Sequence, residues 1–347
     1  MRLTTTFLLL LAVAIAKGQP SLGTNNGVFP NSTKEACIVN AGRLLNEVFG
    51  LMEKTYYRKD VVAWDSLFSA AKNRLQNSLS CEDAYETIGW CFSQMKENHS
   101  FIMPAIKAAE YNNDTSYVRF MPDLKNMVGE IKSEIINDSI AYFTLPWINT
   151  TDEAICNHLA DSLQRLIASL DRPGVKNWII DLRKNTGGNC WPMLAGVGPL
   201  LGNGTVGYFV RNQEKVPIIY QNGMAYQGKN VRSKVNGTPY ILKSSPKKII
   251  LLTSSHTSSS GEIITMAFKG RDDVAVIGEP TAGLTTANAT YKLSNNAMLV
   301  LTVCQEADRH GRIYEGRIRP DQWVEADLVA GGPDLIKCHA LKYLGSK

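Results

Sequence analysis

The chain of 347 residues is 44% apolar and 20% charged. That composition excludes an intrinsically disordered chain, a collagen-like repeat and a disulfide mini-protein. Its 37 basic and 32 acidic residues leave a formal charge of +5 with no long run of like charge, so charge points to no nucleic-acid partner.

Residues 1–17 read as a signal peptide. Arg2 precedes the apolar run Phe7–Ala16, and Ala14-Ile15-Ala16 supplies small residues for cleavage. The run is about ten residues, half of the ~20 that a membrane span needs. A secreted or periplasmic chain without a membrane anchor is the expectation. From Lys34 to Glu97 apolar residues recur at helical spacing: Leu44, Leu45, Val48, Phe49 and Met52, then Trp64, Leu67, Phe68, Ala71 and Leu75, then Ala84, Ile88, Cys91, Phe92 and Met95. Three amphipathic helices with short links suggest a small bundle, with Ser80-Cys81 capping the third. The bundle and its connector are expected over 18–128.

After about residue 130 the texture changes. Strand-like Ile140–Leu145, Trp178–Leu182, Ile249–Thr253 and Val274–Gly278 alternate with helical stretches at 152–170, 191–201 and 261–269. That alternation predicts an α/β core domain over 129–347. Residues 222–246 carry turn signals and are expected to form a surface excursion. Export would permit disulfides, but the seven cysteines, Cys37, Cys81, Cys91, Cys156, Cys190, Cys304 and Cys338, are odd in number and irregular in spacing. Buried thiols and one or two bridges are both compatible with them. No Cys/His cluster suggests a metal, and no cofactor is expected. Eight Asn-x-Ser/Thr sequons, Asn98, Asn137 and Asn288 among them, signify glycosylation only in a eukaryotic secretory pathway.

Three segments carry chemistry. In Leu251-Leu-Thr-Ser-Ser-His256-Thr-Ser-Ser259-Ser260-Gly-Glu262 an apolar strand ends in a small-residue turn and a helix begins. Such a turn can lift a serine hydroxyl to a helix N-terminus, where free N–H groups favour a developing anion. The plainer reading of Ser259-x-x-Glu262 is a capping box. In Trp178-Ile-Ile-Asp181-Leu-Arg183-Lys-Asn185-Thr-Gly187-Gly188 adjacent glycines follow a buried strand, which permits positive φ and close approach of another chain. In Glu97-Asn98-His99-Ser100-Phe101 a histidine follows a helix and can act as a general base. A lone histidine in that place is as readily a structural residue.

Two further motifs follow in order, Gly278-Glu279-Pro280-Thr281-Ala-Gly283-Leu284 and Pro320-Asp321. The ordered set, Asp-Leu-Arg-x-Asn-x-Gly-Gly, Ser-x-x-Glu, Gly-Glu-Pro-Thr-x-Gly and Pro-Asp, resembles the C-terminal processing (tail-specific) and tricorn core serine proteases. Interphotoreceptor retinoid-binding protein shares that fold. The resemblance spans roughly 97–325. It implies a ClpP/crotonase-like α/β core behind the helical bundle, and a serine peptidase acting on peptide or protein substrates. By this likeness Ser259 is the nucleophile, and the N–H groups of Ser260 and of Gly187 or Gly188, with Gly188 preferred, form the oxyanion hole. Tail-specific members place a lysine base where this chain has Leu284, which cannot accept a proton. The tricorn-like branch pairs a histidine with a serine and orients it with a glutamate, which makes His99, Ser100 and Glu315 the matching candidates. About 30 residues separate Phe101 from Glu130, too few for the PDZ module of many members, at ~85 residues. Two other readings stand beside the peptidase: a non-catalytic binding protein on the same scaffold and an acyl-transfer enzyme of crotonase type. His256 is a rival base.

Overall fold

The computed structural model describes residues 34–76, 82–112, 127–325 and 332–345. The expected signal peptide, the Ser80-Cys81 cap, the side chain of Cys37 and the sequons at Asn31 and Asn113 lie outside the described residues.

In chain order the elements are helices α1 (Lys34–Thr55), α2 (Trp64–Gln76) and α3 (Asp83–Gln94), strand β1 (Phe101–Met103) and helix α4 (Ala105–Asn112). Then come β2 (Ser133–Ile136), β3 (Ile140–Thr144), α5 (Glu153–Leu170), β4 (Asn177–Asp181) and α6 (Cys190–Leu201). Strands β5 (Gly204–Arg211), β6 (Glu214–Gln221), β7 (Met224–Gln227), β8 (Asn230–Lys234) and β9 (Lys248–Thr253) follow. The chain closes with α7 (Ser260–Phe268), β10 (Val274–Gly278), β11 (Thr286–Lys292), β12 (Met298–Asp308), β13 (Gln322–Trp323) and α8 (Leu335–Tyr343).

Two compact units emerge. The first holds α1 to α4 and β1 together with Thr286–Cys304, a stretch that a linear reading assigns to the core domain. In it, α1 buries Leu44, Leu45, Val48, Phe49 and Met52, and α3 buries Ala84, Ile88, Cys91 and Phe92, the stripe that the helical spacing predicts. Phe49 joins α1 to α2 through the rings of Phe68 and Trp64, 4.7 and 6.2 Å away. Specific bonds draw 286–304 into this unit. β1 pairs antiparallel with the start of β12 (Phe101↔Val300), the Glu47 carboxylate accepts from the Ser294 N–H and hydroxyl, and Asn295 donates to the Tyr85 hydroxyl. Short-range periodicity carries no trace of such pairings.

Among the described residues the second unit comprises 127–285, 305–325 and 332–345. Its main sheet has the order β13-β10-β9-β4-β3-β2, parallel except for β2. The buried runs Trp178–Ile180 and Ile249–Leu252 sit at its centre, as expected for parallel strands covered on both faces. Ile140, Tyr142, Ile179, Ile250 and Leu252 turn one face toward Ile336 and Ala340 of α8. Strand alternation sends Phe143, Trp178, Ile180 and Leu251 to the other face. The expected excursion over 222–246 divides: 235–246 form a largely exposed loop, while 222–234 are strand and turn. β7 and β8 extend an antiparallel meander from β5 and β6, turned at Asn222-Gly223, where both residues have positive φ as a tight hairpin requires. Cys91, Cys156, Cys190 and Cys338 are free thiols.

For function the essential feature is the pairing of β4 with β9 (Ile180↔Leu251, Asp181↔Leu252). Adjacent parallel strands release their following loops side by side at one sheet edge, where ligands of open α/β sheets bind.

Candidate active site

The loops after β4 and β9 are laced together. The Ser254 hydroxyl donates to the Arg183 carbonyl (2.7 Å), that of Thr257 to Leu182 (2.9 Å) and that of Ser258 to Thr186 (3.0 Å), while the Ser258 N–H donates to the Asn185 carbonyl (3.1 Å). Serine and threonine dominate this turn because each hydroxyl satisfies a carbonyl that no ladder reaches. A cavity of about 550 Å³ opens at this edge, lined in part by Leu145, Trp147, Lys184, Ser254 and His256.

Ser259 is buried, at φ +49° and ψ −115°. The capping box exists: the Ser259 side chain accepts from the Glu262 N–H, and the Glu262 carboxylate accepts from the Ser259 N–H at 2.9 Å. Capping does not require this backbone, however. Asp152, Asn189 and Asp334 cap their helices at φ −63°, −94° and −71°. A side-chain-bearing residue at positive φ costs of the order of 1–3 kcal/mol and marks functional turns, the strained strand-to-helix elbow of serine hydrolases among them.

Gly187 and Gly188 face the elbow at φ +104° and +98°. A Cβ on Gly187 would lie 2.9 Å from Ser259 Cβ, and one on Gly188 only 2.0 Å from the Ile148 carbonyl oxygen, so neither position admits a side chain. The Gly187 N–H is engaged by Asn185 Oδ1 at 3.0 Å. Among the described residues the N–H groups of Gly188 and Ser260 have no hydrogen-bond partner, while the Ser260 hydroxyl donates to the Gly188 carbonyl at 2.6 Å. Two free donors are thus tied to one another on either side of the serine.

Glu262 binds the third motif to the elbow. It is fully buried and accepts from the Thr281 hydroxyl and from the N–H groups of Gly283 (2.9 Å), Leu284 (2.7 Å) and Ser259. Burial pushes its carboxyl up to about 7, against the pull of these bonds. Because every partner donates, a Glu262→Gln amide must turn one N–H toward another. The expected cost is about 1–3 kcal/mol of stability, read from thermal or denaturant unfolding.

In the first unit, α3 ends in a Schellman turn with Lys96 at φ +54°, its 6→1 bond running from the Glu97 N–H to the Phe92 carbonyl (2.9 Å). The chain then reverses into buried His99. Its Nδ1 lies 2.9 Å from Thr286 Oγ1, its carbonyl accepts from Asn288 Nδ2 (2.8 Å), and its N–H donates to Glu97 Oε1 (2.7 Å). Burial pushes the imidazole down to about 4, with a hydrogen bond to the Thr286 backbone opposing.

The profile of peptidase family S41 matches residues 139–324. The chain belongs to peptidase family S41. It is 30% identical to the nisin-resistance protein of Lactococcus lactis over 65% of this chain and 69% of that one. It is 25% identical to the carboxyl-terminal-processing protease of Synechocystis over 46% of this chain, spanning about a third (34%) of that relative's length. Its fold resembles that of a lipoprotein from Streptococcus agalactiae, with TM-score 0.66 and 24% identity over 93% of this chain and 99% of that one. The α/β peptidase fold holds, and the chain is a serine-type peptidase acting on peptide or protein substrates.

The S41 peptidase distributes the remaining candidates unevenly. Leu284, in the place of the dyad lysine, contributes its backbone N–H to Glu262. Glu315 is exposed and accepts from Gln305 at 3.3 Å, whereas the partner at His99 Nδ1 is the Thr286 hydroxyl. Ser100 is buried, its hydroxyl donating to Thr302 Oγ1 (3.1 Å) and accepting from the Thr302 N–H (2.9 Å). His256 is exposed, its N–H held by Ser254 Oγ at 3.1 Å. Thr286 and Glu97 escape a reading from the residues: a threonine in a strand carries no signal, and Glu97 reads as a surface helix end. The Asn288 side chain is buried and its amide donates to the His99 carbonyl. Among the described residues no three His, Cys, Asp or Glu side chains could hold a metal, and no helix is long and apolar enough to cross a membrane.

Proposed function

We propose that this S41 peptidase hydrolyses peptide bonds through an acyl-enzyme on Ser259, with His99 as general base. The strained backbone of Ser259, seated between two glycines and the start of a helix, carries the reading. In it, His99 Nδ1–H is donated to Thr286 Oγ1, which leaves the Nε2 lone pair to take the Ser259 proton as Oγ attacks the carbonyl. Thr286 replaces Glu315 as the group that sets the tautomer. The oxyanion is received by the N–H groups of Gly188 and Ser260, a contribution of roughly 10²–10³ in rate per donor. His99 returns the proton to the leaving amine, and water, activated by the same imidazole, clears the ester. The apolar leader favours export, so we place the mature chain outside the cytoplasm.

A fluorophosphonate probe tests this. Ser259 is expected to be the residue labelled, located by mass spectrometry of the digested protein, with no label in Ser259→Ala. With the His99 imidazole held near 4, labelling persists at pH 5.5, where an ordinary histidine of pKa near 6.5 is mostly protonated, and fails as pH falls through about 4. Label on another residue, or label unchanged in Ser259→Ala, overturns the assignment.

A further inference from the structure

We propose that Glu97 is a positioning residue for the His99 base; the inference rests on the catalytic role of His99 given above. Glu97 lies just past the C-terminus of α3, where the helix dipole disfavours an anion. Its side chain is not needed to cap that helix, because the Schellman bonds are made by backbone N–H groups. Yet Glu97 is 9% exposed, and its carboxylate is surrounded by donors. Oε1 accepts from the N–H groups of His99 (2.7 Å) and Ser100 (3.1 Å) and lies 3.1 Å from the Thr302 hydroxyl; Oε2 accepts from the Tyr56 hydroxyl (3.0 Å).

These bonds connect three pieces of chain to the base. Tyr56 directly follows α1, Thr302 lies in β12, and the two N–H groups belong to the loop that carries the imidazole. Thr302 Oγ1 also lies 2.8 Å from Asn288 Oδ1, and Asn288 Nδ2 holds the His99 carbonyl. The peptide units on both sides of His99 are therefore anchored, one by Glu97 and one by Asn288, with Thr286 fixing the ring. Charge-assisted bonds of a buried carboxylate to backbone N–H groups are the strong kind, and they set where the imidazole can reach. A misplacement of about 1 Å at a catalytic group costs on the order of 10²-fold in rate.

The test is the second-order rate of fluorophosphonate labelling in the full chain, measured for Glu97 variants in two backgrounds. With His99 present, Glu97→Ala is expected to slow labelling roughly 30- to 100-fold. Glu97→Asp, which keeps the charge but shortens the reach, slows it about 10-fold, and Glu97→Gln, which keeps one acceptor oxygen, returns it to within a few-fold of wild type. In His99→Ala the same substitutions change the residual rate less than two-fold, because a residue acting only through His99 has nothing left to position. If Glu97→Ala fails to fold, Glu97→Asp carries the same comparison. Wild-type rates in Glu97→Ala and Glu97→Asp, or an equal loss with and without His99, overturn the proposal. A His99→Ala variant that itself labels at the wild-type rate instead overturns the base assignment, which separates the two failures.

Discussion

Ser259→Ala is expected to lower peptidase activity by on the order of 10⁵-fold, and Ser259→Gly by as much, while the two variants part company in stability. Serine here does two jobs, capping α7 and holding φ at +49°. Alanine loses the cap, worth about 1 kcal/mol, and keeps the strain. Glycine is nearly as good at an N-cap as serine and adopts positive φ without a Cβ penalty. Ser259→Gly should therefore be more stable than Ser259→Ala by about 1–2 kcal/mol in denaturant unfolding. Equal stabilities would mean that the elbow stores no strain, and the argument that separates this serine from an ordinary cap would fail.

Gly188→Ala is expected to be damaging in both respects. The new Cβ would meet the Ile148 carbonyl oxygen at 2.0 Å, and that carbonyl is held in place by the Asn189 N–H at 2.6 Å. The positive φ adds its own cost, so the loop must move away from Ile148 and carry the Gly188 N–H with it. A loss of about 3 kcal/mol or more in stability is expected, with labelling of the remaining folded protein slowed roughly 10²–10³-fold. A folded Gly188→Ala with the wild-type labelling rate would remove Gly188 from the oxyanion hole.

What the sequence announces and what it conceals divide along the range of the interactions. The buried strands Trp178–Leu182 and Ile249–Thr253 are short, apolar and punctuated by small residues, so their parallel core and the loops beyond them can be read locally. Gly187-Gly188 and Ser259 follow from the same punctuation. The Asn222-Gly223 hairpin was equally local, but the polar residues around it masked two half-exposed strands. The fate of 286–304 could not be read, because the contacts of Ser294 with Glu47 and of Phe101 with Val300 join segments some 200 residues or more apart. The same range hides the base's surroundings. His99 and Ser100 stand out as a motif, whereas the partner at Nδ1 arrives from residue 286. The family likeness points to a glutamate, Glu315, whereas a threonine hydroxyl meets Nδ1.

The most direct test of the account compares His99→Ala with His256→Ala in the rate at which Ser259 is labelled by the fluorophosphonate probe at pH 7. The account predicts a loss of roughly 10³-fold or more in His99→Ala and a rate within about two-fold of wild type in His256→Ala. The reverse pattern, or wild-type rates in both variants, would contradict it.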